Sequence, residues 1–209
     1  MKSLCLIISG GEYADIPDKI RKADYVIACD RGWQYALQMG IKPDLITGDF
    51  DSSTRPETDI PIIQFPAHKD DTDTMLAARE SIKRGYKNIA ICCAFGARLD
   101  HTIANIQTAA FLVSEGATVY LTGKDTEAYV FSHNKIRLPK KPLHSLSLFS
   151  LSDRCDGVCV NGTEYECNDI TLTNAFPLGV SNDWASAEAD ISVQNGILMV
   201  LCSMCNEEN

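Results

Sequence analysis

The sequence predicts an α/β domain with a mostly parallel sheet, followed by a smaller all-β domain. Three observations carry this. Apolar runs of strand length alternate with helical patterns up to about residue 135, and every polar cluster in that half falls directly after a strand. From about Ile136 the helical spacing stops, and beyond Pro142 short alternating runs punctuated by glycine take over. The expected domains are therefore 1–135 and 142–209, with Leu138-Pro139-Lys140-Lys141-Pro142 as the linker.

Leu4-Cys5-Leu6-Ile7-Ile8 reads as a buried strand that Ser9-Gly10-Gly11 ends. Tyr25 to Cys29 is the next, leading through Asp30-Arg31-Gly32 into a helix that carries Trp33, Ala36 and Leu37 and closes at Gly40. Leu45-Ile46 ends a third strand at Thr47-Gly48-Asp49-Phe50-Asp51-Ser52. Side chains two apart in extended backbone share a side, so Asp49 and Asp51 would present two carboxylates together, a seat for a hard cation. The alternative is an acidic surface turn whose aspartates bond their own backbone. Ile60 to Pro66 reads as an edge segment, since proline is excluded from central strands.

Lys69-Asp70-Asp71-Thr72-Asp73-Thr74 then precedes a helix with Met75, Leu76, Ala78 and Ile82 and a stop at Gly85. Capping uses one or two of these acidic and hydroxyl groups; the surplus of mutually repelling anions points to a metal or phosphate role. Asn88 to Ala94 is the next strand. Gly96-Ala97-Arg98-Leu99-Asp100-His101 enters a helix with Asn105 one turn beyond His101. Arg98 at a helix start suits a phosphate; a surface pair with Asp100 is the alternative. Ala117 to Leu121 completes the α/β half. Its clusters would meet on one edge of a Rossmann-like sheet, where a nucleotide could lie. Neither a dinucleotide fingerprint nor a P-loop is present.

The second half has alternating runs at 145–149, 158–160, 170–173, 189–193 and 197–201, which predict a small sandwich that packs on its neighbour or on a second copy of itself. Asn174 to Trp184 reads as a long loop able to hold a ligand.

Composition narrows the function classes. With 45% hydrophobic and 22% charged residues over 209 positions, the chain is an ordinary globular protein. A net charge of −9 argues against binding nucleic acid through its phosphates. No apolar run approaches the ~20 residues of a membrane span, and the N-terminal run is too short for a signal segment, so a cytoplasmic protein is expected. The nine cysteines are odd in number, and several sit in apolar runs. Cys155-x-x-x-Cys159 and Cys202-x-x-Cys205 have spacings zinc could use, but the first pair falls in a strand pattern.

With Asp30 and Gly32, the run Pro43 to Ser52, Lys69-Asp70-x-Thr72-Asp73, Gly96-x-Arg98-Leu99-Asp100-His101 with Asn105, and Gly179-Val180-Ser181-Asn182, the chain resembles thiamine pyrophosphokinases over nearly its whole length. The resemblance implies a transferase that moves the pyrophosphoryl group of ATP onto the hydroxyl of thiamine, giving thiamine diphosphate and AMP with Mg2+. It implies that Asp49, Asp51 and Asp73 are catalytic and hold the metal. It makes Asp30, Asp70, Thr72, Arg98, Asp100, His101 and Asn105 ATP contacts. Ser181 and Asn182 become substrate contacts in a site shared across a homodimer, with Tyr165 or Trp184 stacking on a thiamine ring. Two positions depart from the family pattern: Arg31 and Ala97 stand where glycine is usual. The competing readings are a pyrophosphokinase acting on a hydroxymethyl pterin and a protein that binds ATP without turnover.

Overall fold

The computed structural model describes residues 3–50, 55–65, 71–96 and 98–205. Asp51, Asp70 and Ala97 lie outside them. The chain divides into two compact units, 1–124 and 125–209.

The first unit runs β1 (Leu4–Ile8), α1 (Asp18–Arg21), β2 (Tyr25–Cys29), α2 (Gly32–Gln38), β3 (Leu45–Gly48), β4 (Ile62–Gln64), α3 (Asp73–Lys83), β5 (Asn88–Cys92), α4 (Leu99–Ser114) and β6 (Thr118–Thr122). Its strands pair in parallel in the order β6-β5-β1-β2-β3-β4. Parallel strands need covering on both faces, and their sequences are accordingly apolar at nearly every position. Leu6, Ile8 and Val26 pack with Ala36 and Met39 of the α2 side on one face. In the same strands Ile7 and Ile27 alternate to the other face, where α3 and α4 contact each other and α3 contacts β1, β2 and β3. β4, the edge strand, is the segment that Pro61 and Pro66 bracket.

Thr72 caps α3 by accepting a hydrogen bond from the Met75 N–H at 3.2 Å, and Gly85, at φ 85°, closes the helix. The chain builds β1 to β4 in one direction and then returns to lay β5 on the other side of β1. That reversal leaves a crevice at the carboxyl ends of β1 and β5.

The second unit runs β7 (Thr126–Phe131), β8 (Asn134–Pro139), β9 (His144–Ser150), β10 (Arg154–Asn161), β11 (Cys167–Thr173), β12 (Gly179–Asn182), β13 (Glu188–Val193) and β14 (Leu198–Met204). All pairings among these strands are antiparallel, in the orders β12-β9-β14-β7 and β11-β10-β13-β8. Side chains from both sets, among them Phe131, Leu146, Val158, Ile191 and Val200, form one core.

Two expectations change here. The 138–142 segment is not a linker: Leu138 and Pro139 end β8, whose ladder to β13 runs from Asn134 to Pro139. Proline is tolerated there because β8 is an edge strand and Pro139 its last residue. The boundary accordingly falls at Lys124, before β7, which pairs with β14. Within the expected 174–184 loop, β12 pairs with β9. All nine cysteines are free, and Cys155 and Cys202 are buried in the β core. They pack there as small hydrophobes.

Candidate active site

The crevice is a cleft of about 410 Å³ in the first unit. Ser9, Gly10 and Gly11 reach it from the end of β1; Cys29, Asp30 and Arg31 from the end of β2; Gly96 and Arg98 from the segment after β5; Thr72, Asp73 and Thr74 from the start of α3; and His101, Ala104 and Asn105 from α4. Of the ATP and metal candidates, Asp30, Thr72, Asp73, Arg98, His101 and Asn105 are thus gathered into one space. Asp49 is half-buried just past β3 and does not line it. Asp51 and Asp70 fall outside the described residues.

The turn after β2 is wedged in place. A Cβ added to Gly32 would stand 2.1 Å from the Ile8 carbonyl oxygen, so only glycine lets this turn lie on the end of β1. On its other side, the Asp30 N–H donates to the Thr47 carbonyl at 2.7 Å, and the Gly48 backbone packs against Asp30. Asp30 itself has φ 43°, a left-handed conformation that aspartate tolerates better than most residues.

The floor is polar and buried. Ser9 Oγ and Thr74 Oγ1 share a hydrogen bond at 3.0 Å, and Asn105 Nδ2 donates to the Ala94 carbonyl at 2.8 Å and to Ser9 Oγ at 3.5 Å. These bonds tie β1, α3 and α4 together beneath the cleft. The carbonyl partner fixes the amide orientation, so Asn105 turns an acceptor, not a donor, to any ligand. That suits a hydroxyl or amine of a ligand better than a phosphate oxygen.

Burial pushes the Cys29 thiol well above its ordinary range; the Thr47 hydroxyl pulls it the other way, and Asp73 and Asp30 raise it further. Thr47, across the register from Cys29, is itself fully buried, and its hydroxyl has no hydrogen bond of good geometry among the described residues. The same two carboxylates, from β2 and α3, therefore act on one buried point. The charged groups that Asp30 and Asp73 bring to the cleft offer a metal carboxylate oxygen. That donor set suits a hard cation such as Mg2+. Among the described residues no three His, Cys, Asp or Glu side chains form a ready metal cage. Mg2+ characteristically takes one or two carboxylates and completes its shell with water and substrate phosphates.

Arg98 and Asp100 are fully exposed and joined by two hydrogen bonds. The pair holds the Asp100 carboxyl below its usual range, with a smaller pull from the His101 N–H. The alternative weighed from sequence, a surface pair, is what the ligand-free protein forms. Such exposed pairs are weakened by solvent, so an incoming phosphate can take Arg98 over.

Residues 16–121, which span every element of this cleft after β1, match the family model described as thiamin pyrophosphokinase, catalytic domain. The chain belongs to the thiamin pyrophosphokinase family. It is 28% identical to the thiamine pyrophosphokinase of Bacillus subtilis strain 168, over 94% of this chain and 97% of that protein. The crystal structure of the Bacillus subtilis thiamine pyrophosphokinase superposes with a TM-score of 0.83 at 26% identity, covering 97% of this chain and 99% of that one. A thiamin pyrophosphokinase family protein from Enterococcus faecalis superposes with a TM-score of 0.78 at 25% identity, covering 98% and 100%.

The thiamin pyrophosphokinase motif in the second unit divides into two kinds of residue. Asn182 is buried and its amide is committed: Oδ1 accepts from the Tyr165 N–H at 3.0 Å, while Nδ2 donates to Thr163 Oγ1 and the Tyr165 carbonyl. It shapes the 163–165 turn, and both of its amide hydrogens are used there. Ser181 is exposed at φ 57°, with its N–H on Ser147 Oγ. Trp184 is buried and its Nε1 donates to the His144 carbonyl, so it serves the core and cannot stack on a ligand. Tyr165 is 74% exposed on the turn that Asn182 holds. Sequence reasoning missed Ser9 and Cys29, and took Thr74 only as part of the 69–74 cluster, not as the partner of Ser9. The available signals were a serine closing an apolar strand and a threonine on the buried side of α3.

Proposed function

We propose that the protein is a thiamine pyrophosphokinase, an ATP-dependent transferase that makes thiamine diphosphate and AMP, with Mg2+ as its metal. The observation that carries this is the charged cleft at the sheet's point of reversal, built from the segments in which the chain matches its family.

In this reading the phosphate chain of ATP lies over Ser9 to Gly11 and between the starts of α3 and α4. Asp30 and Asp73 hold the metal, joined by Asp51 from outside the described residues. When bound, Mg2+ neutralises charge on the phosphate oxygens. Thr72 fixes the first turn of α3 and with it Asp73; Arg98 leaves Asp100 to meet a phosphate; Asn105 accepts from a hydroxyl or amine of the nucleotide. The thiamine hydroxyl oxygen attacks the β-phosphorus, the bond from that phosphorus to the oxygen of the α-phosphate breaks, and AMP departs. The hydroxyl proton passes to a nearby aspartate or to water. No covalent nucleophile is required, and the buried, protonated Cys29 supplies none.

The second unit is assigned the thiamine side, with Ser181 and Tyr165 as contacts and Asn182 as the residue that positions Tyr165. We assign it to a homodimer with a shared site. Tyr165, Phe176, Leu178 and Val180 are 74%, 65%, 58% and 47% exposed within one stretch of this unit, an apolar display that a second copy would cover. No helix among the described residues is long and apolar enough to cross a membrane. The nine free cysteines favour a reducing compartment, which supports a cytoplasmic location.

The test is product identity. Protein supplied with ATP, Mg2+ and thiamine should release AMP and thiamine diphosphate. ADP as the product, or AMP released only with a hydroxymethyl pterin, would overturn the assignment.

A further inference from the structure

The cleft carries two guanidinium groups, Arg31 and Arg98, and two carboxylates, Asp30 and Asp73. Arg98 is closed onto Asp100, so its charge is already matched. Arg31 differs: among the described residues its side chain makes no ion pair or hydrogen bond, and its one recorded bond is the backbone carbonyl accepting from Gln34. Set against two carboxylates, Arg31 is the cleft cation, among the described residues, that is left to offset their repulsion of an anionic ligand.

Its placement is also fixed in advance. It follows Asp30, whose N–H is held by Thr47, and precedes Gly32, which no larger residue can replace against Ile8. On the cleft side its Cβ lies 3.7 Å from where a Cβ on Gly10 would stand, so the stem runs over the bare backbone at the end of β1. The anchored turn fixes where the side chain starts, and the planar guanidinium fork matches two phosphate oxygens at once.

We propose that Arg31 is a polyphosphate-binding residue that grips the phosphate chain of the nucleotide and sets the affinity of this protein for the triphosphate. The inference deepens the function proposed above and rests on it.

The test compares the full-length protein with Arg31→Gln and Arg31→Lys in two measurements: calorimetric titration with inorganic tripolyphosphate, and steady-state kinetics with ATP and thiamine. Arg31→Gln should weaken tripolyphosphate binding and raise KM for ATP by about tenfold each, the loss of one charge-assisted contact, while kcat stays within about threefold. Arg31→Lys should recover most of both. Unchanged tripolyphosphate affinity in Arg31→Gln would overturn the inference, as would an equal loss of adenosine binding, which would mark a distorted cleft. Absence of AMP formation by the unaltered protein would instead overturn the proposed function, and the tripolyphosphate titration would still decide the role of Arg31.

Discussion

Replacing Gly32 by alanine probes the wedge that holds Asp30 and Arg31 over the end of β1. The new Cβ would stand 2.1 Å from the Ile8 carbonyl oxygen and 2.9 Å from its carbon. Carbon–oxygen contacts settle near ~3.3 Å, so the overlap is about 1.2 Å, against backbone that has no rotamer to change. Overpacking of this kind costs about 1–3 kcal/mol, and rigid backbone places it near the upper end. Alanine in the first turn of α2 returns ~1 kcal/mol of helix propensity, leaving a net loss of about 2 kcal/mol. For a chain of this size that is a Tm lower by roughly 4–8 °C. The turn must also move by about 1 Å, and a misplacement of that size lowers turnover on the order of 100-fold. Gly40→Ala is the control. Gly40 sits at φ 68° with nothing within 4 Å of its added Cβ, so it should lose about 1–2 kcal/mol through backbone strain alone and keep normal kinetics. Urea unfolding and steady-state kinetics at a temperature where both variants are folded separate the two cases. Normal stability and turnover in Gly32→Ala would refute the wedge.

Four further outcomes are expected. Asp73→Asn should lower turnover by about two orders of magnitude or more with an unchanged circular dichroism spectrum and a weaker response to Mg2+, since it removes charge where phosphate charge is to be neutralised; near-normal activity would displace Asp73 from the metal. Asn182→Ala leaves the Tyr165 N–H without its acceptor and should cost about 2–3 kcal/mol in urea unfolding while raising KM for thiamine and not for ATP. Thr72→Ala removes the α3 cap and should lose about 1 kcal/mol, read the same way. The last concerns pH. Burial, offset by Arg84 and reinforced by Asp44, pushes the Cys5 thiol from 9.0 up to about 12. In the unfolded chain that thiol ionises near its ordinary value, so its contribution to stability is full below pH 9 and falls between pH 9 and 12, by about 1.4 kcal/mol per pH unit. Urea midpoints at pH 8 and 10.5 should therefore differ less in Cys5→Ala than in the unaltered protein.

How far the sequence could be read depended on what kind of force set each feature. The strands of the first unit were visible because burial on both faces demands unbroken apolar runs, and β4 because prolines bracket it. The end of β8 was hidden for the opposite reason: Leu138-Pro139-Lys140-Lys141-Pro142 has the composition of a connector, and only the ladder to β13 makes its first two residues a strand. The motifs supplied positions in the chain, yet the chemistry of each residue was not written in the motif. Asn105 and Asn182 look alike as short polar residues near a ligand. Coordinates show one bracing the floor of the cleft with an acceptor left over, and the other spent wholly on a turn. The link from Ser9 to Thr74 escaped notice because a hydroxyl closing an apolar strand reads as noise until its partner, 65 positions away, is known.

The reversal of strand order also dictates when this protein becomes competent during its synthesis. β1 pairs with β2 almost at once, but its other edge waits for Asn88 to Cys92, and Leu4 meets Asn88 only after more than eighty intervening residues have left the ribosome. Until then the nascent chain carries an open, apolar strand edge of the kind that recruits other chains. The same placement of β1 at the centre of the sheet that creates the cleft leaves that edge uncovered until β5 has been made.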